Sequence, residues 1–195
     1  CLATLTDAPP TGRDWIHEIK FDGYRLQARI ADGKVQLLTR KGLDWTARFP
    51  ALATALKSLK IKSALIDGEA VVETQKGKTS FVKLVEALEE GRSEDMLFVA
   101  FDLLYLDGVD LRAAALRDRK ELLNMLLDRG RQSPRLRFSE HLASDGDTVL
   151  QKACSLGLEG IVSKRVDRPY TSGRNGDWLK SKCILTDEFV IGGYL

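Results

Sequence analysis

In the stretch His17-Glu18-Ile19-Lys20-Phe21-Asp22-Gly23-Tyr24-Arg25, the neighbours of one lysine suit it to nucleophilic work. An amine attacks an electrophile only as the neutral base, and apolar surroundings disfavour the ammonium form. Trp15 and Ile16 precede Lys20 and Phe21 follows it, which predicts a desolvated lysine on a strand edge. Asp22-Gly23 predicts a tight turn straight afterwards. Strand alternation would set Glu18, Lys20 and Asp22 on one face, a nucleophile flanked by two acceptors able to read a base or a ribose. Taken alone, the phrase also describes an ordinary surface lysine ahead of an Asp-Gly turn.

Other polar residues break into apolar runs. Ala64 to Val72 reads as a buried strand but carries Asp67-Gly68-Glu69, and Leu97 to Leu106 carries Asp102 after Phe101. A buried carboxyl costs free energy unless a partner or a ligand meets it, so Glu69 and Asp102 call for one; a salt bridge to a core-edge arginine is the alternative for Glu69. Trp178-Leu179-Lys180-Ser181-Lys182 sets two lysines two apart, on one face of an extended chain. Between Lys164 and Lys182, Lys164, Arg165, Arg168, Arg174, Lys180 and Lys182 stand against Asp167 and Asp177, and Arg129, Arg131, Arg135 and Arg137 form an earlier basic run. Clustered charge of this kind suits phosphate, although solvated faces look the same in sequence.

The elements around these residues follow an α+β pattern. Tyr24 to Ile30 and Lys34 to Thr39 flank Asp32-Gly33 and predict a hairpin. Helices are predicted over Arg48 to Leu59, Phe81 to Glu90, Leu116 to Leu127 and Asp147 to Leu156, from apolar spacing and an Asp-Gly-Asp start. Ile161 to Lys164, Trp178 to Lys182 and Glu188 to Ile191 complete the strands.

The chain has 195 residues, 44% hydrophobic and 30% charged, with a net charge of +2, ordinary values for a soluble domain with one core. No apolar run is long enough for a membrane helix and no signal peptide pattern opens the chain, so a cytoplasmic protein without membrane partners is expected. Cys1, Cys154 and Cys183 have no C-x-x-C spacing and read as packing residues, neither disulfide framework nor zinc site. No Walker A or G-x-G-x-x-G phrase appears.

The phrases Lys20-Phe21-Asp22-Gly23-Tyr24-Arg25, Thr39-Arg40-Lys41-Gly42, Asp67-Gly68-Glu69, Phe101-Asp102-Leu103-Leu104-Tyr105, Glu159-Gly160-Ile161-Val162-Ser163-Lys164 and Trp178 to Lys182 stand in the order of the nucleotidyltransferase motifs. The chain thereby resembles, over about residues 13 to 195, the adenylation domain of ATP-dependent DNA ligases, most of all the ligase part of bacterial ligase D, which works in nonhomologous end joining. The resemblance implies an ATP-grasp-like nucleotidyltransferase fold, two antiparallel sheets flanked by helices with the nucleotide cleft between them. It implies ATP as cofactor, with AMP carried covalently on Lys20, and magnesium or manganese. Lys180 and Lys182 would bind the α-phosphate. Glu18 and Ile19 would meet the adenine, Phe101 would stack on it, and Arg25 and Arg40 would orient phosphate or ribose. Lys164 would face the phosphates, Glu69 would contact ribose or metal, and Glu159 would stand near the metal.

The same likeness implies nicked or broken double-stranded DNA as partner. It implies that residues 1–195 form one adenylation domain, which in the family continues into an OB-fold domain and, in ligase D, further modules. A guanylyltransferase of the mRNA-capping type performs sister chemistry through the same lysine motif, and a noncatalytic DNA-end binding module would use only the basic face. An NAD-dependent ligase fits less well, since it places a nicotinamide-binding segment ahead of its lysine.

Overall fold

In a computed structural model, which describes residues 1–74, 78–129 and 133–183, the strands sort into two sheets that face one another across a cleft. In chain order the elements are β1 (Thr4–Leu5), β2 (Trp15–Ile19), β3 (Tyr24–Ala31), β4 (Lys34–Thr39), α1 (Pro50–Lys57), β5 (Ser63–Val72), α2 (Phe81–Glu89), β6 (Met96–Leu106), β7 (Val109–Asp110), α3 (Leu116–Arg129), β8 (Leu136–Phe138), β9 (His141–Leu142), α4 (Gly146–Ser155), β10 (Gly160–Arg165) and β11 (Trp178–Lys182). The first sheet runs β1-β11-β10-β2-β9 and the second β4-β3-β5-β6-β7, with β8 alongside β6. All pairings are antiparallel except β1 with β11 and β6 with β8.

Local chemistry explains the boundaries. Asp32 and Gly33 take φ of 47° and 76°, the left-handed pair that a two-residue hairpin between β3 and β4 needs. Pro50 opens α1, the Ser80 hydroxyl accepts from Lys83 N at the start of α2, and the Asp145 carboxylate accepts from Thr148 N at the start of α4. The predicted helices thus all exist, each displaced by no more than two residues at either end. The predicted strand Glu188 to Ile191 lies outside the described residues.

The main core fills the space between the second sheet and helices α1, α2 and α3, with Leu26, Leu37, Phe49, Ile66, Phe98 and Leu123 fully buried. Helix α4 covers the first sheet instead, where Val149 and Ala153 pack on Ile161. Phe101 of β6 and Trp178 of β11 join the two sheets, their rings 5.8 Å apart and edge to face, with Cys1 against them. No helix among the described residues is long and apolar enough to cross a membrane.

Two expectations are corrected here. Cys154 and Cys183 are bonded to one another, tying the end of α4 to the residue after β11, because the fold brings residues 29 apart in sequence to a Cα separation of 5.3 Å. Cys1 remains a buried free thiol, as a packing residue should. Asp22 does not share the face of Glu18 and Lys20. The strand ends at Ile19, and beyond it the Asp22 carboxylate accepts from Phe81 N while its own N–H donates to Thr79 Oγ1, fastening the lysine loop to the start of α2.

Candidate active site

Strand β2 carries Glu18 and Ile19 to the rim of the intersheet cleft, and the chain leaves the strand at Lys20, whose N–H still donates to Gly160 O. The cleft holds about 260 Å³. Along its first-sheet wall lie Glu18, Ile19, Lys20, Val162, Lys164 and Lys180; across from them lie Arg25, Glu69 and Phe101, with Arg40 and Arg174 at the mouth. Nine of the eleven residues singled out in the sequence therefore share one cavity. The other two, Glu159 and Lys182, stand beside it: Glu159 Oε2 accepts from Lys20 Nζ, and Lys182 Nζ lies 3.2 Å from Glu159 Oε1. A larger, open depression of about 560 Å³ between the β3–β4 hairpin and α1 holds none of them.

The sequence predicts Lys20 as a desolvated lysine on a strand edge; the structure sets it just past the strand end and beside a carboxylate. Its side chain is 20% exposed and ion-paired, because β10 begins at Gly160 and brings the preceding glutamate to the lysine. The carboxylate-arginine alternative raised for Glu69 is met by Asp67 instead. Arg25 Nε and Nη2 donate to Asp67 Oδ1 and Oδ2 at 3.0 and 2.6 Å, Arg25 Nη1 donates to Cys1 O, and Tyr170 OH donates to Asp67 at 3.2 Å. The same guanidinium lies 5.4 Å from the Phe101 ring and 5.6 Å from that of Trp178. Asp102, fully buried, receives two hydrogen bonds from Arg119 of α3 at 2.8 and 3.0 Å, which meets its demand for a partner without a ligand.

Glu69 has no ion pair or hydrogen bond from its carboxyl to a side chain or backbone group among the described residues. Burial pushes its carboxyl up to about 8, the charges of Asp67 and Glu159 add to that, and Arg25 and Lys20 work against it. Glu18 stands in the opposite setting. Lys120 Nζ donates to Glu18 Oε1 at 2.8 Å, while Ser139 Oγ and Lys164 Nζ donate to Oε2 at 2.6 and 2.9 Å. Burial would raise this carboxyl, but the two ammoniums and the hydrogen bonds outweigh it and hold it below the ordinary carboxylate range. Lys164 also sits over the Phe101 and Trp178 rings at 4.5 and 4.2 Å, and burial lowers its ammonium to about 8 despite Glu18.

The basic cluster read from the sequence divides. Arg165 donates to Asp167 and faces outward, and Arg168 lies near Asp167 and Asp177. Arg40, Arg174 and Lys180 line the cleft without an acidic partner among the described residues, so the positive charge left uncompensated is concentrated where an anion would enter. Of the earlier run, Arg137 pairs with Glu73; Arg131 and the side chain of Arg129 lie outside the described residues. His17 is buried, with Nδ1 2.8 Å from Ser163 Oγ, and does not line the cleft.

Among the described residues no group of three or more His, Cys, Asp or Glu side chains gathers as a metal site. Glu69 and Glu159, within electrostatic reach of one another at the Lys20 end, fit a hard cation that takes one or two carboxylates and keeps its waters. Sequence reasoning missed Trp178, Ser139, Arg119 and Lys120. Trp178 was within reach, since strand alternation puts it on the face of Lys180. The others were not, because their partners lie 17 to 121 residues away.

The family model for the ATP dependent DNA ligase domain matches residues 4–182. The multifunctional non-homologous end joining protein LigD of Pseudomonas aeruginosa is 50% identical over 193 residues, 99% of this chain but 23% of that protein. A solved structure of mycobacterial DNA ligase D complexed with ATP and MES superposes with a TM-score of 0.80 at 36% identity, covering 93% of this chain and 58% of that one. The ligase domain of Mycobacterium tuberculosis LigD gives 0.77 at 34%, covering 93% and 60%. The chain spans about a quarter of the length of the LigD proteins it matches. A match that runs from β1 to the end of β11, together with a shared fold at this level of identity, makes the chain a member of the ATP-dependent DNA ligases, as their adenylation domain.

Proposed function

We propose that the domain charges itself with AMP on Lys20 and passes the AMP to the 5′-phosphate of a broken DNA strand, for joining within a longer end-joining ligase. The observation that carries this reading is the position of the Lys20 amine at the edge of a cleft that also holds three uncompensated cations. The Lys20 nitrogen attacks the α-phosphorus of ATP, an N–P bond forms, and the P–O bond to pyrophosphate breaks. Glu159, in contact with Lys20 Nζ, holds the amine before attack and is placed to receive its proton. Negative charge then builds on the phosphate oxygens, where Lys180, with Lys182 beside it, supplies fixed positive charge; removing one such contact costs about 3 kcal/mol of transition-state stabilisation. A bound magnesium or manganese ion would neutralise further phosphate charge, with Glu69 and Glu159 as its protein neighbours.

At the base end, Phe101 offers a ring, and Glu18 with the Ile19 backbone offers hydrogen bonds to adenine. Arg25 and Arg40 face the sugar and phosphates, and Lys164 backs Glu18. The AMP phosphorus is next attacked by a DNA 5′-phosphate oxygen, breaking the N–P bond, and a 3′-hydroxyl then displaces AMP to seal the strand. The chain spans 23% of the Pseudomonas aeruginosa LigD protein, which supports further modules in the same polypeptide, and the family likeness implies that one of them is an OB-fold domain. Intact mass measured before and after magnesium-ATP tests the first step: one added adenylyl group is expected with ATP and none with Lys20→Ala. An adduct formed from GTP in preference to ATP would favour capping chemistry. No adduct, together with no sealing of a preadenylated nick, would overturn the ligase reading.

A further inference from the structure

Glu18 owes its direction entirely to side chains on other elements. Ser139 and Lys164 approach one carboxylate oxygen, and Lys120 alone takes the other, at 2.8 Å. Lys120 is itself pinned: its Nζ also donates to Ser139 O at 2.9 Å and lies 4.4 Å from the Phe138 ring, and the residue is 2% exposed. It projects from α3, the helix packed on β6 of the second sheet, and reaches Glu18 on β2 of the first. Yet Lys120 does not line the cleft, so it does not touch what binds there. Two ammoniums and a hydroxyl on one buried carboxylate contribute little net stability compared with an apolar filling of the same space. Aligning that carboxylate is the better account of them.

We infer that Lys120 is a positioning residue for base recognition: by fixing Oε1 of Glu18 it sets the direction in which the cleft accepts hydrogen bonds from a purine, and so its choice of adenine over guanine. The exocyclic amine of adenine is a donor that an oriented carboxylate can meet, whereas guanine presents a carbonyl at that edge and is repelled. Freed from Lys120, Glu18 would be held only through Oε2, by Ser139 and Lys164, and would lose that aim.

This inference rests on the reading of Glu18 as the base contact, and one set of variants separates the two. Adduct formation on Lys20 would be followed by mass, with ATP and with GTP, in the parent protein and in Lys120→Met, Lys120→Arg, Glu18→Gln and the Lys120→Met/Glu18→Gln double variant. Lys120→Met is expected to raise the half-saturating ATP concentration, and to cut the preference for ATP over GTP, by roughly tenfold, the effect of losing one hydrogen bond to a charged group. The rate at saturating ATP should change far less, Lys120→Arg should recover most of the loss, and the double variant should be no worse than Glu18→Gln. If Lys120→Met does not fold, Lys120→Gln gives the same comparison. Should Glu18→Gln weaken ATP while the Lys120 variants leave both readouts alone, or should the two losses multiply, the positioning role is overturned. Should Glu18→Gln itself change neither, the base-contact reading falls first.

Discussion

Glu69 and Glu18 are both carboxyls in one cleft, yet their surroundings drive them in opposite directions. Burial raises Glu69 to about 8 from its ordinary value of 4.5, so between those values the folded protein holds a proton that the unfolded chain has released. The sign follows: stability falls as pH rises through that window. Glu69→Gln keeps the shape of the neutral acid and removes the penalty. Without nucleotide, the variant is expected to melt roughly 3 °C above the parent near pH 8, with the gap closing toward the acid end. Melting curves collected across that range check it, and parallel curves at every pH would sink the idea.

Among the elements, the lysine loop between β2 and β3 depends on a glycine for space rather than for an unusual dihedral. A Cβ on Gly23 would lie 2.2 Å from Ala70 O and 2.8 Å from Val71 Cγ1, because the loop is drawn down onto β5 while Asp22 fastens it to α2. Backbone on one side leaves nothing that can yield cheaply. Gly23→Ala is expected to cost about 1–3 kcal/mol, the usual penalty of overpacking. It should also slow adduct formation at saturating ATP, since Lys20 is three residues away on the same loop. Chemical denaturation paired with the adduct assay measures both; a variant as stable and as fast as the parent would show that the loop has slack the geometry denies.

Over the whole molecule, the Cys154–Cys183 bond closes a loop of 29 residues that includes all of β10 and β11, the two strands bearing Glu159's neighbour Gly160, Lys164 and Lys180. Constraining a loop of that length in the unfolded chain is worth about 3–4 kcal/mol on the chain-entropy account. Reductant, or Cys154→Ser, is therefore expected to lower the melting temperature by roughly 10 °C. The decisive comparison is the reduced parent against the variant: they should coincide, and a variant insensitive to reductant but as stable as the oxidised parent would remove the bond from the account.

Motif order, strand alternation and capping residues were legible in the linear chain, because each depends on neighbours within a few positions. The β3–β4 hairpin and all four helices follow from such local rules, and the order of the motifs, Lys20 and the Lys180–Lys182 pair among them, pointed to the family. Which charge meets which was not legible. Asp67 rather than Glu69 takes Arg25, Asp102 takes Arg119 from α3, Glu159 takes Lys20, and Lys120 crosses between layers to Glu18. Hydrophobic periodicity places a residue on a face, but an ion pair or a disulfide is chosen by the distance between faces, and that distance exists only after the two sheets have closed on Phe101 and Trp178.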